Sequence, residues 1–251
     1  MKRLVAGLVL AAAAQASDDV LARMLDEKAT VAQRNDACYA LRGQRSEPGI
    51  AVFEKALADP VVRACAARNL REAGAVEALV KGLGAPDADT QMASARELGA
   101  MASSTPDPRA LEALGRAALD ANVLVAASAI DALAAYEAKA ALPYLLRAAG
   151  QPGVAGVTAL ERAARFHDAA VLPIARSILV QGDVAMQVIA LGVIADLGDP
   201  SDLPKLREMA AKREKVESRG RGFGFMPAID VGRAAQNAVD RISAAGGQAA
   251  R

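Results

Sequence analysis

The side chains with catalytic potential are few. His167 is the only histidine, which excludes a His-based metal cluster and any relay that needs two imidazoles. It stands between Phe166 and Asp168 where a helix is expected to end, and there an imidazole can serve the last carbonyls. Cys38 and Cys65 are the only cysteines, too few and too far apart in sequence for a zinc site of their own. Acidic residues such as Asp131 and Glu161 come singly, which reads as solvated helix surface. A Gly-x-Ser-x-Gly elbow, a Walker-type phosphate loop and a dinucleotide fingerprint are all absent. The expectation is a chain that is not an enzyme, with no catalytic, metal-binding or cofactor-binding residue and no cofactor. One stretch has unusual composition. Residues 214–227 place Arg219, Arg221, Phe223 and Phe225 among Gly220, Gly222 and Gly224. Glycine flanks let a loop present guanidinium and aromatic groups in backbone geometries closed to other residues.

The elements that position these residues follow from composition and patterning. Hydrophobic residues are 53% and charged residues 24% of 251, enough apolar surface for a core. Alanine alone is about a quarter of the chain, which favours close-packed helices over sheet. The formal net charge of +1 gives no electrostatic case for nucleic acid. At the N-terminus, Lys2 and Arg3 precede the uncharged run Leu4–Ala14, and Ala14-Gln15-Ala16 forms a small-x-small cleavage site. Met1–Ala16 therefore reads as a secretory signal peptide, the alternative being an Ala-rich first helix. Export, to the periplasm in our reading, gives the cysteines an oxidising compartment. A membrane-spanning helix needs about 20 apolar residues, and no segment reaches that length.

Self-similarity supplies the architecture. Val62–Leu70 and Val231–Val239 are helical segments that open on an apolar residue, carry small residues in the middle and close on an aliphatic. Thr90–Leu98, Val125–Leu133 and Met186–Ile194 share this nine-residue frame, and Gln33–Leu41 and Ala155–Ala163 fit it more loosely. The frames recur about every 30 residues, with one longer interval before the last. Shorter amphipathic segments lie between them at Gly49–Ala58, Ala75–Leu83, Arg109–Leu119, Ala140–Ala149, Ala169–Val180 and Ser201–Lys212. Turn signals part the two, with Asp59, Asp87 and Asp183 placed to cap the following helix and Gly74 and Gly198 placed to end the longer one. Each unit is a helix, a tight turn and a helix. A lone pair cannot bury its apolar face, whereas stacked pairs can, so the expected fold is an all-α solenoid of about seven pairs. This makes residues 17–251 a single repeat domain with an insertion at 214–227.

The segments Asp59-Pro60-Val61-Val62-Arg63 and Leu197-Gly198-Asp199-Pro200 resemble HEAT repeats, especially the short form found in bilin-lyase-like HEAT proteins. The resemblance covers roughly residues 29–245. It departs from the pattern where the Val-Arg pair is replaced by Thr90-Gln91 and Met186-Gln187. Such proteins serve as scaffolds and adaptors, and some assist chromophore attachment, so the resemblance is specific for fold and weak for function.

Within the nine-residue frame, Cys38 is at position six and Cys65 at position four of the next unit. Two steps of about 100° set these positions on nearly opposite sides of the helical wheel, so cysteines of adjacent parallel helices face each other. A Cys38–Cys65 disulfide is expected, the alternative being two buried thiols. Position seven carries Tyr39, Arg68, Arg96, Asp131, Glu161, Gly192 and Asn237. Exposed on the concave side, that row would contact a protein partner of mixed charge; the plainer reading is ordinary solvated helix surface. The insertion has two readings as well, partner contact by Arg219, Arg221, Phe223 and Phe225, or a cap over the last pair. The functional expectation is a protein-binding scaffold in the cell envelope with a partner of unknown identity. The resemblance implies a lyase-like chaperone or enzyme as the alternative, and a purely structural envelope module is a third reading.

Overall fold

A computed structural model describes residues 19–102, 107–212, 215–216 and 229–249. The signal-peptide residues Met1–Ala16 and the insertion residues Arg219, Arg221, Phe223 and Phe225 lie outside the described residues. The chain divides into two compact units at Ala141 and Leu142. In the first, α1 (19–25) pairs with α2 (Val31–Ala40), α3 (Glu47–Ala56) with α4 (Arg63–Ala73), α5 (Val76–Gly82) with α6 (Ala88–Ala100), and α7 (Pro108–Ala117) with α8 (Val123–Leu133). The second holds most of α9 (Ala138–Ala149), then α10 (Val154–Ala164), α11 (Leu172–Gln181), α12 (Val184–Leu197), α13 (Leu203–Ala211) and α14 (Val231–Ala249). Within each unit, second helices pack on second helices, as α4 on α6 and α6 on α8, or α10 on α12 and α12 on α14. First helices pack on first helices in the same way, α3 on α5 and α5 on α7. The fold is the all-helical array of stacked pairs, an α-solenoid, that the repeat implies.

Local chemistry starts and stops these helices. Thr30 and Gln33 form a capping box at the start of α2. Asp87, Asn122 and Asp183 accept backbone N–H bonds at the starts of α6, α8 and α12. Asp59 differs from expectation, because the helix begins only after Val62. Its carboxylate takes the N–H of Val61 at 2.9 Å and the guanidinium of Arg34 instead. Gly74 ends α4 at φ 74°, the left-handed geometry that favours glycine. Gly198 ends α12 in extended backbone, and it must be small for a different reason: a Cβ there would press on the carbonyl oxygen of Ile194. His167 follows α10 in the left-handed region at φ 53°, its backbone N–H donating to the Ala164 carbonyl at 3.0 Å.

The frame sorts residues by depth. Its closing residues Leu41, Leu70, Leu98, Leu133, Ala163, Ile194 and Val239 are all buried. So is position five, held by Ala37, Ala66, Ser94, Ala129, Ala159, Ala190 and Ala235. Positions five and nine stand four apart on one helix face, whereas position seven lies two steps away and opposite. Small side chains at position five let neighbouring helices approach closely. Gly99 extends this tolerance: a Cβ there would lie 2.8 Å from the Cα of Ala132, so α6 and α8 meet nearly backbone to backbone. Buried polar groups join consecutive pairs in the first unit. The Thr90 hydroxyl donates to the Leu57 carbonyl at 2.7 Å and the Tyr136 hydroxyl to the Leu98 carbonyl at 2.9 Å. Burial, with Asp107 adding to it, pushes the Tyr136 phenol up to about 12. In the second unit the insertion leaves α13 through Lys215–Val216 and returns through Ile229–Asp230, which pair as a short antiparallel ladder before α14.

Candidate functional site

Tyr39 on α2, Arg68 on α4, Arg96 on α6 and Asp131 on α8 are exposed in the first unit, and Glu161, Gly192 and Asn237 are exposed on α10, α12 and α14 of the second. Their common exposure follows from the frame, since positions five and nine of the same helices carry the core. Tyr39 is 57% exposed, unusual for a large aromatic side chain.

The first three residues of this row are held in register by contacts beneath them. Cys38 and Cys65 form a disulfide, with Cα atoms 6.3 Å apart, that joins α2 to α4 one position from Tyr39 and three from Arg68. The Asn69 amide lies beside it and donates to the Cys38 carbonyl at 3.1 Å. Between α4 and α6, Arg71 donates to Glu97 at 2.6 Å. Arg42, just past α2, grips both carboxylate oxygens of Glu72 at 3.0 and 3.1 Å. That bond holds the Glu72 carboxyl below its usual range.

These ion pairs are the residues that reading acids singly misses. Asp131 and Glu161 invite the solvated-surface interpretation, but an acid in one pair often meets an arginine one repeat away. Arg42 with Glu72, Arg71 with Glu97 and Arg176 with Asp202 all show this spacing. The available signal was arginine and acid recurring at nearly the repeat length.

The second unit adds an uncharged crevice of about 260 Å³ between the turn after α9 and the facing ends of α11 and α12. Pro152, Val157, Ile174, Ile178 and Met186 line it together with Gln151 and Gln181, and none of its lining residues is charged. The first unit has a counterpart of about 300 Å³ at the turn edge of α3, α5 and α6, lined by Leu57, Pro86 and Thr90 among others. His167 is exposed and stands apart from both linings. Among the described residues, no three His, Cys, Asp or Glu side chains gather to hold a metal, and no helix is long and apolar enough to cross a membrane.

No protein-family model matches the chain, and no curated protein matches it. Solved structures similar to it include the complex of CpcE and CpcF of phycocyanin lyase from Nostoc sp. PCC7120, at 17% identity and a TM-score of 0.42 over 90% of this chain and 94% of that one. Human deoxyhypusine hydroxylase matches at 16% identity and a TM-score of 0.39, over 92% and 96% of the two chains. An engineered protein matches at 19% identity and a TM-score of 0.33, over 91% and 96%. The likeness is one of fold. A lyase and a hydroxylase nevertheless overturn the expectation that this chain is not an enzyme. That expectation rested on missing sequence motifs, whose absence does not exclude catalysis.

Proposed function

We propose that the chain binds a protein partner through the exposed face of the second helices of its first unit, with Tyr39, Arg68, Arg96 and Asp131 contributing; Glu161 is proposed as a contact of the second unit taken by itself. One observation carries this reading: position seven is exposed in every second helix while positions five and nine of the same helices are buried. The face thus meets solvent rather than the core, and in the first unit it offers tyrosine and arginine, types enriched at interaction hot spots. Arg219, Arg221, Phe223 and Phe225 are proposed as a second contact, on composition alone. The reading places the protein in an exported, periplasmic setting, supported by the tripartite pattern of Met1–Ala16 and by a disulfide, which persists in oxidising compartments.

Photo-crosslinkers introduced at exposed positions test the reading. Ala64 and Ala100 flank Arg68 and Arg96 on the second-helix face, whereas Glu112 lies on the first helix α7. In the native envelope fraction, a discrete adduct is expected from Ala64 and Ala100 and none from Glu112. An adduct from Glu112 alone, or from none of the three, would overturn the assignment.

A further inference from the structure

The arginines of the first unit fall into two groups. From Val31 to Ala141, every arginine but two donates to a carboxylate or a backbone carbonyl. Arg34 holds Asp59, Arg42 holds Glu72, Arg63 holds Asp87 and Asp89, and Arg45 reaches the Glu72 carbonyl. Arg71, Arg109 and Arg116 are engaged likewise. Among these arginines, Arg68 and Arg96 alone form no direct hydrogen bond or ion pair among the described residues, although the Arg68 charge acts on Glu72, and both are exposed.

The two unpaired guanidiniums occupy the same frame position on adjacent helices. Neighbouring helices pack about 8–10 Å apart, so α4 and α6 offer two positive charges at one helix spacing. Side by side in water such charges repel weakly, a penalty that a pair of bound carboxylates reverses. On the other flank Tyr39 continues the line onto α2. The disulfide, the Asn69 amide and the Arg71–Glu97 pair keep these three helices in register, which lowers the ordering cost of binding.

We propose that this row receives an extended acidic segment of a partner protein, laid across α2, α4 and α6. This rests on the protein-binding reading and names what the partner presents. A polyproline II segment rises about 3.1 Å per residue and repeats every three residues, so carboxylates at i and i+3 share one side about 9 Å apart. That matches the helix spacing. The two carboxylates accept charge-assisted bonds from Arg68 and Arg96, and the residue three positions before them packs on the exposed ring of Tyr39. Phosphates of a single strand would also attract guanidiniums, but the net charge of +1 offers no wider basic groove to track a backbone.

Fluorescence anisotropy on the oxidised full-length chain tests the proposal, with a labelled peptide of repeated Glu-Pro-Pro triplets as the probe. It should bind, with affinity falling as salt rises. Replacing each Glu by Gln in the peptide, or combining Arg68→Gln with Arg96→Gln in the protein, should weaken binding by about tenfold or more. Arg116→Gln, which breaks a paired arginine on α7, should leave it unchanged. Absent binding, equal affinity for the Gln peptide, or full affinity in the double variant would overturn the proposal. An oligothymidylate that displaces the peptide at lower concentration would overturn it in favour of nucleic acid. The broader reading is judged separately, by the Ala64 crosslink. A native adduct that survives in the double variant removes the acidic segment and keeps protein binding, whereas loss of every adduct from the unaltered chain removes both.

Discussion

Position five of the second helices isolates a single oxygen atom. Six pairs place alanine there, and α6 places Ser94, fully buried, its hydroxyl without a hydrogen-bond partner. That oxygen lies against Gly82 of α5, where even a Cβ would collide with it, so glycine at 82 is the counterpart of serine at 94. A buried unpaired hydroxyl costs about 1–3 kcal/mol. Ser94→Ala is therefore expected to raise stability by about 1 kcal/mol, read as a higher denaturation midpoint at unchanged slope in urea. A neutral or destabilising result would show that the hydroxyl is satisfied after all. At this scale the sequence was legible in part. The nine-residue frame marked which positions are buried and which are exposed, because period and burial are linked in a helix. It did not show which arginines would be paired, because pairing depends on side chains one repeat away. It also could not show that His167 takes a left-handed backbone where glycine is the usual choice.

Between elements, packing of small residues and ion pairs do different work. Alanines and Gly99 set how closely helices approach, and arginine–carboxylate bonds set how one pair registers on the next. Much of this level was readable in advance. Each expected helical segment is present, within a few residues except that α14 runs ten residues past Val239, because capping acids, turn prolines and amphipathic spacing are local signals. Two features were not readable. The strand ladder at Lys215–Val216 and Ile229–Asp230 joins residues separated by the whole insertion. The bond from Arg42 to Glu72 likewise joins the turn after α2 to α4 across a full repeat. That bond has a consequence for pH. The Arg42 hydrogen bond and charge hold the folded Glu72 carboxyl below 4.5, its unperturbed value, so in acid the unfolded chain takes up the proton first. The contribution to stability is complete above about pH 4.5 and is lost as pH falls through the lower folded value. Glu72→Gln should thus lower the melting temperature at pH 7 and flatten its decline between pH 5 and pH 3. Parallel acid profiles for the two proteins would remove Glu72 from the acid response.

An array of pairs gains stability from nearest-neighbour interfaces, so its terminal pair, with a neighbour on one side only, is the part most prone to open. Among the described residues of the first unit that pair is α1 with α2, and the Cys38–Cys65 disulfide fastens it to α4. The bridge was legible in the sequence because positions four and six of adjacent parallel helices face one another. Its two cysteines are buried, at 0% and 8% exposure, so the bond belongs to the core rather than to a reactive surface. Closing a loop with a sequence separation of 27 contributes about 3–4 kcal/mol in the chain-entropy account. Because stacking interfaces act locally, that contribution should be spent on the first pairs rather than spread along the chain. Hydrogen exchange distinguishes the two cases. Replacing both cysteines by alanine should speed exchange of the amides of α1, α2 and α4 by about a hundredfold or more, while α10, α12 and α14 keep their protection. Equal loss of protection in all these helices would mean that the chain opens as one cooperative body and that the bridge stabilises the whole. The local outcome has a further meaning for binding. Tyr39 would lose its fixed register with Arg68 while Arg68 and Arg96 stayed aligned through the Arg71–Glu97 pair. The double-cysteine variant should then bind the acidic peptide more weakly than the oxidised chain, yet more tightly than the chain lacking both arginines.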